Sequence, residues 1–284
     1  MKILLTGHKG QLGTALRQAL PYRNVAHNVA HTVSGVDLPE LDITDRTAVF
    51  TAVAQTSPDL IIHCAALTDV DGCARNPELA YRVNGLGTQN VALAAQEFGA
   101  EMLHISSNEV FAGDRPEGYD EWMPRNPVNG YGRSKAAAEF HVTNLLSRFY
   151  IVRLSWLFAP GGRNFIHAIL KRARETGQLR VVVDEVANPT YVHDLAAAIT
   201  QLIETQQYGV YHFTNAGACS RWEFANEIVR QAGLTGVVNT PIQLKDFQRA
   251  STPPPYAALN NNVGKAIGIE LRPWQEALNA YLNS

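Results

Sequence analysis

Three cysteines in 284 residues are too few for a disulfide framework. Cys64, Cys73 and Cys219 also lack zinc-ligand spacing, so neither a stapled secreted scaffold nor a zinc module is expected. Charge is scarce too: charged residues make up 18%, and 24 Lys plus Arg against 26 Asp plus Glu leave a formal charge of −2. That balance excludes broad attraction to nucleic acid or to an anionic membrane, while leaving room for a local basic patch. No apolar run approaches the roughly 20 residues of a membrane helix. The opening stretch breaks at Gly7, too early for the core of a signal peptide. Internal repeats and low-complexity tracts are missing as well. What remains, with 46% hydrophobic residues, is the composition of a globular chain, with the cytoplasm as the expected location. The length corresponds to about two domains at roughly 150 residues each.

Short apolar strands alternate with helical patterns through the first half. Strands are expected at Ile3–Leu5, Thr32–Val36, Leu60–Cys64, Met102–Ser106 and Tyr150–Leu154. Helices are expected from Gln11 to Leu20 (stopped by Pro21), Asp45 to Gln55, Pro77 to about Phe98, and Tyr131 to Leu146. Strand, helix, strand at this spacing predicts an α/β fold with a doubly wound parallel sheet covered on both faces. Beyond Trp156 the pattern loosens. Helices at Asn164–Glu175, Val192–Ile203, Ser220–Ala232 and Pro273–Leu282 surround extended segments at Arg180–Val183 and Val210–Phe213, with Ser220 as an N-cap. The Pro253-Pro254-Pro255 run reads as a loop.

Thr6-Gly7-His8-Lys9-Gly10-Gln11-Leu12-Gly13 leaves the first strand and opens the first helix. Glycines at this spacing suit a tight turn, close approach of backbone N–H groups to a pyrophosphate, and a helix N-terminus aimed at it. Residues Gly7, Gly10, Gln11, Leu12 and Gly13 are therefore candidates for holding a dinucleotide in a Rossmann-type fold. An acidic residue for the adenosine ribose is expected some 20 residues later. Asp37 and Asp42 compete for that place, and Asp37 there would favour NADH over NADPH. A second signal is Tyr131-Gly132-Arg133-Ser134-Lys135, whose phenol and ammonium share one helix face. A neighbouring cation favours phenolate, which would bring a tyrosine toward an acid/base role. The preceding strand ends in Ser106-Ser107, so Ser107 supplies a hydroxyl to the same set. Two other features carry less. His27 and His31 stand four apart without a third ligand, and His193-Asp194 reads as a helix start, so no metal site is expected.

At these residues the chain resembles the extended short-chain dehydrogenase/reductases, and within them the dTDP-4-dehydrorhamnose reductases. The glycine loop and the Tyr/Lys pair are common to the superfamily. The match also takes in Val83-Asn84 and Pro273-Trp274, and the narrower likeness to the reductases lies in Cys64-Ala65-Ala66-x-Thr68-x-Val70-Asp71, Ser155-Trp156 and Asn164-Phe165. The resemblance implies a nucleotide-binding part at 1–155 and a substrate lobe at 156–284, with the chain returning to the first part around 185–215. It implies that NADPH or NADH is the cofactor. Ile43, Ala65, Ala66 and Thr68 would line it, with Asp37 and Asp42 beside the adenosine and Lys135 on the nicotinamide ribose. Tyr131 would donate the proton, and Ser107, Asn108, Trp156 and Asn164 would meet a nucleotide-linked sugar. A homodimer is left open.

Two departures from the family pattern stand out. The family's usual Ser-Thr-Asp-Tyr reads Ser106-Ser107-Asn108-Glu109, so restoring the acid with Asn108→Asp is expected to raise reductase activity. An arginine usual near the carboxyl end is missing at Pro254-Pro255-Tyr256-Ala257-Ala258, with Arg249 and Lys245 as the substitutes at hand. The glutamate that some relatives use for a magnesium-linked dimer corresponds to Ala15. The expected activity is reduction of a nucleotide-linked 4-keto-6-deoxysugar. The alternatives are a nucleotide-sugar epimerase or dehydratase, and a cofactor-bound regulatory subunit like the reductase-like partner of methionine adenosyltransferase.

Overall fold

The computed structural model describes residues 1–20, 31–161 and 164–284; Pro21 and His27 lie outside the described residues. The amino-terminal half runs β1 (Lys2–Thr6), α1 (Gln11–Ala19), β2 (Thr32–Val36), α2 (Arg46–Thr56), β3 (Leu60–His63), α3 (Val70–Arg75) and α4 (Pro77–Ala80). It continues through a π-helical turn (Tyr81–Leu86) to α5 (Gly87–Phe98), β4 (Glu101–Ser107), α6 (Gly130–Leu145) and β5 (Phe149–Leu154). After β5 come β6 (Leu157–Phe158), α7 (Phe165–Thr176), β7 (Gln178–Val182), β8 (Val186–Ala187), β9 (Thr190–Tyr191) and α8 (Val192–Leu202). The remainder is β10 (Gly209–His212), β11 (Cys219–Ser220), α9 (Arg221–Gln231), β12 (Val238–Ile242), α10 (Asn262–Ala266) and α11 (Trp274–Leu282).

Six strands form one parallel sheet in the order β10-β5-β4-β3-β1-β2. Both faces are covered, which is why the strands read as continuous apolar runs. Ile3 and Leu5 enter one core, whereas Leu4 enters the core on the opposite face. The chain leaves β1 toward β2 and returns on the other side at β3, so the order reverses between β1 and β3. Such a reversal opens a crevice beyond the strand ends. Among the described residues no helix is long and apolar enough to cross a membrane, and no cluster of three or more His, Cys, Asp or Glu is placed to hold a metal.

Three local differences from the sequence reading have physical causes. The helix expected from Pro77 is interrupted by the π turn, which carries Asn84 into the interior at 1% exposure. The six-residue α3 is too short to show an amphipathic period, though Asp69 caps it by accepting from the Gly72 N–H. Strand β12 contains Pro241, which argues against a strand, but it pairs only with β7 in a two-stranded ladder. Ser220 is the N-cap expected of it, in a reciprocal box with Glu223.

Helix α6 crosses the C-terminal ends of β4 and β5, and its seat is polar. Glu139 is 1% exposed and takes two bonds from Arg153 on β5, Nε to Oε1 at 2.8 Å and Nη2 to Oε2 at 2.7 Å. Ser106 on β4 donates to Oε1 at 2.6 Å, and Arg125 approaches Oε2 at 3.3 Å. Burial alone would raise the Glu139 carboxyl, but the Arg153 bonds and charge outweigh it and hold the group below its usual range. Replacing Glu139 by Gln strands Arg153 without a counter-charge. We expect Glu139→Gln to lose about 3 kcal/mol in urea unfolding, against under about 1 kcal/mol for removal of the more exposed Arg125 guanidinium. The difference should be full above about pH 5 and fade as the pH falls through the depressed folded value of Glu139.

Candidate active site

The crevice between β1 and β3 is lined first by the glycine loop. Gly7 has a φ of +71°, and a Cβ there would lie 2.6 Å from the Ala65 backbone nitrogen. A Cβ on Gly13 would strike the Gly7 carbonyl oxygen, so the turn and the helix pack backbone to backbone. At Gly10 an added Cβ meets only the Gly7 carbonyl oxygen, at 3.3 Å, leaving the space above it open. Gly10 is the N-cap of α1 and no side chain caps that helix, so the N–H groups of its first turn, beginning at Gln11 and Leu12, face the crevice unclaimed by a side chain. This cradle fits a pyrophosphate.

Asp37 follows β2 at the rim. Its Oδ2 accepts from the Lys9 N–H at 2.9 Å and its Oδ1 from the Leu38 N–H at 2.8 Å, so the carboxylate is already fastening the glycine loop to the β2 end. Asp42 is exposed and accepts from both the N–H and the hydroxyl of Thr44 at 2.8 Å. Ile43 is buried, and its carbonyl accepts from Asn90. Beyond β3, Ala65 and Ala66 are half-buried and Thr68 is exposed. Asn84 holds this segment: it accepts from the Leu67 N–H at 2.7 Å, donates to the Leu67 carbonyl, and donates to Ser134 on α6 at 2.9 Å. One buried amide thus ties the segment after β3 to the helix bearing Tyr131.

Tyr131, Lys135 and Glu139 recur every fourth residue on one face of α6. Lys135 is 2% exposed; its Nζ donates to the Ile105 carbonyl at 2.6 Å and lies 3.3 Å from His104 Nε2. Burial pushes the Lys135 ammonium down to about 8, against the opposing charge of Glu139. His104 stacks on His63 with ring centres 5.5 Å apart, and burial followed by the Lys135 charge drives both imidazoles to low values, His63 to about 3. Both histidines are therefore neutral. The Tyr131 phenol moves opposite to the sequence expectation: burial and then the charge of Glu109 push it up, while a hydrogen bond with Ser107 works weakly the other way. It stays a protonated phenol at neutral pH, the form that has a proton to give.

Ser107 ends β4; its hydroxyl donates to Asn108 Oδ1 at 3.3 Å and accepts from the Glu109 N–H at 3.2 Å. Asn108 is 5% exposed, and its amide donates to the Ala257 carbonyl at 3.1 Å. Both ends of that side chain are engaged within the protein. Asn164 behaves similarly, capping α7 by accepting from the His167 N–H and donating to the Ala159 carbonyl, while it also borders the cleft described next.

Ser107 pairs in register with Leu154, and two residues later Trp156 opens a cleft of about 760 Å³. Trp156 adopts φ +42°, and the Arg221 guanidinium lies 3.6 Å from its ring centre. Arg221 is paired with Glu185 at 3.0 Å. Phe165, Phe224, Phe247, Arg172, Arg180 and Arg249 complete much of the wall. Lys245 is not part of it; Arg249 is the cation that the segment before the proline run delivers. That segment straps the cleft to the sheet side. Arg249 Nε and the Ser251 N–H both donate to Asp71 Oδ1, at 3.1 and 2.9 Å, and Asn129 donates to the Thr252 carbonyl. Sequence reading missed Glu185, Arg172, Arg180 and Arg221. One clue existed for Arg221: a cation in the first turn of a helix faces the positive end of the dipole and needs a partner.

A family model described as the RmlD substrate binding domain matches residues 1–284. The spore coat polysaccharide biosynthesis protein SpsK of Bacillus subtilis is 34% identical, over 99% of this chain and 96% of its own. A dTDP-4-dehydrorhamnose reductase of Aggregatibacter actinomycetemcomitans is 34% identical, over 98% of this chain and 97% of its own. Among solved structures, a dTDP-4-dehydrorhamnose reductase of Bacillus anthracis in complex with NADP superposes with a TM-score of 0.92 at 37% identity, covering 99% of this chain and 98% of that one.

Two outcomes follow from the geometry. Asn108→Asp replaces the donor to Ala257 with an anion facing a carbonyl, so the expectation drawn from the family pattern reverses. The variant should lose about 1–3 kcal/mol and melt a few degrees lower, without a gain in turnover. For Lys135 the buried ammonium is disfavoured, so it costs stability below about pH 8 and the cost fades as the pH climbs toward the ordinary lysine value. Chemical unfolding should show Lys135→Met more stable than wild type by roughly 2–3 kcal/mol at pH 7, with the gap closing by about pH 10.

Proposed function

The chain belongs to the RmlD substrate-binding-domain family, and from that membership we propose that it reduces the 4-keto group of a dTDP-linked 6-deoxysugar, dTDP-4-dehydro-L-rhamnose giving dTDP-L-rhamnose. The observation that carries the proposal is the convergence of Ser107, Tyr131 and Lys135 beside an open glycine cradle and an arginine-lined cleft. NADPH or NADH, when bound, supplies the hydride. Gly7, Gly10, Gln11, Leu12 and Gly13 would hold its pyrophosphate, with Asp37, Asp42 and Ile43 near the adenosine and Ala65, Ala66 and Thr68 along its length.

The chain's own chemistry is proton delivery and charge stabilisation. Tyr131, kept neutral by its surroundings, gives its proton to the oxygen of the forming alkoxide. Lys135 and the Ser107 hydroxyl stabilise that oxygen. In the substrate lobe, Arg249, Arg221, Arg180 and Arg172 suit a diphosphate, and Trp156, Phe165 and Phe247 offer flat faces to base and sugar. The division at 155/156, with β10 returning to the sheet, separates these two duties. Three free cysteines fit a reducing, cytoplasmic setting.

Asn108 speaks against a dehydratase, because its amide is committed to Ala257 and offers no acid. The Tyr131/Lys135 pair speaks against a purely regulatory subunit. The test is oxidation of NADPH and NADH with a panel of dTDP-, UDP- and GDP-linked 4-keto sugars. Turnover should be highest with the dTDP-linked ketone, and Tyr131→Phe should lower kcat by about 10²-fold or more while cofactor affinity is kept. Wild-type protein that binds NADPH yet reduces no sugar in the panel would overturn the reading.

A further inference from the structure

Thr6, His63 and His104 stand side by side in the register of β1, β3 and β4, so they share one face of the sheet. Two residues earlier on the same strands, Leu4, Ile61 and Met102 belong to the apolar core on that face. All three members of the polar row are as buried as that core. Packing alone would fill such positions with Val, Ile or Leu. His63 is pinned at both ring nitrogens, with Nδ1 bonded to the Thr6 hydroxyl at 2.7 Å and Nε2 to the Thr88 hydroxyl on α5 at 3.1 Å. His104 is held differently. Its ring stacks on that pinned ring, and its Nε2 stands 3.3 Å from Lys135 Nζ. An ammonium can only donate, so Nε2 is the accepting nitrogen and the hydrogen sits on Nδ1. Nδ1 is buried with no hydrogen-bond partner among the described residues, an arrangement that costs stability. The fold thus carries an imidazole whose one polar contact is the ammonium on α6.

We propose that His104 is a positioning residue for the reduction, holding the Lys135 ammonium in its working orientation by accepting one of its hydrogens. This rests on the reading of the site as a keto-sugar reductase. An ammonium has three N–H bonds to place. The Ile105 carbonyl takes one at 2.6 Å and His104 Nε2 takes a second, which leaves one to act on a bound ribose or a forming alkoxide. The other ionisable groups around Lys135 are Tyr131 and Glu139 on its own helix, His63 on β3 and Cys64 just beyond β3. Burial keeps the Tyr131 phenol, the His63 ring and the Cys64 thiol uncharged, the thiol being pushed up to about 12. The Glu139 carboxylate is taken up by Arg153, Arg125 and Ser106. Among the described residues, then, Ile105 and His104 supply the acceptors within hydrogen-bond reach of Nζ. Without the imidazole, one N–H of a buried ammonium loses its acceptor. The charged form, already disfavoured by burial, is then disfavoured further.

The test labels the six lysines of the full-length protein with ¹³C at Cε and follows their titration by NMR. The Lys135 signal is the one lost in Lys135→Met. Wild-type Lys135 should titrate near pH 8, and in His104→Leu about one pH unit lower or more. His104→Gln, whose amide oxygen reaches the place of Nε2, should titrate close to wild type. His104→Asn carries its amide one bond short of that place and should follow the leucine variant. Circular dichroism shows which variants are folded. With NADPH and dTDP-4-dehydro-L-rhamnose, wild-type kcat should fall as the pH rises through the Lys135 value, because the charged form stabilises the alkoxide. At pH 8, kcat of His104→Leu should lie about fivefold below wild type, with most of it recovered in His104→Gln. A folded leucine or asparagine variant with the wild-type titration and pH profile would overturn the positioning role and leave the reductase reading standing. So would a glutamine variant that falls as far as the leucine one. Wild-type protein that binds NADPH yet reduces no sugar counts against the reductase reading and takes this role in reduction with it.

Discussion

A buried ion pair sets the geometry on which the rest depends. Glu139 and Arg153 join α6 to β5, and Ser106 joins the same carboxylate to β4. Because Tyr131 and Lys135 lie two turns and one turn before Glu139, fixing one residue fixes the rotation of all three. A rotation of α6 by a single residue, about 100°, would swing the phenol off Ser107 and the ammonium off Ile105. A hydrophobic seat would hold the helix with less directional demand. Two-pronged guanidinium bonding specifies both height and angle. The desolvation cost of the pair is offset here by four donors converging on one carboxylate.

The same packing splits the behaviour of the two groups on that helix face. Burial raises the phenol and lowers the ammonium, because in each case it disfavours the charged form. The outcome is a tyrosine that keeps its proton and a lysine whose charge is held less firmly than in water. Glu109 adds to the first effect, and the stacked, neutral His63 and His104 leave Lys135 without a buried anion in direct contact. Environments that push neighbouring titratable groups apart are those in which acid and base roles become distinct.

The cleft is assembled from parts distant in the chain. Trp156 comes from the end of β5, Arg221 from the start of α9, Glu185 from the turn before β8, and Arg249 from the strap. The strap is held at both ends, by Asp71 at Arg249 and Ser251 and by Asn108 at Ala257. Asn108, which the family pattern assigns to substrate, is here drawn into tying the end of β4 to the strap at Ala257. Arg249, a few residues upstream of the proline run, is the cation that the strap places on the cleft wall.

What the sequence determined by itself was whatever depends on near neighbours. The apolar runs of β1, β3 and β5 announce a covered parallel sheet, because a strand buried on both faces has no polar alternation. The loop from Gly7 to Gly13 is legible because its glycines answer to backbone geometry within seven residues. Tyr131 and Lys135 are legible because helical spacing alone puts them on one face. The π turn that turns Asn84 inward, the direction in which the Tyr131 phenol shifts, and the pairing of Arg221 with Glu185 were decided by the tertiary structure. So were the spending of Asn108 on Ala257 and of Asp37 on the Lys9 and Leu38 amides. In each case the deciding quantity is burial, or a partner tens of residues away, and neither is set by local spacing. A side chain's chemistry is written in its identity, but whether it is free to act depends on which polar groups folding leaves within reach of it.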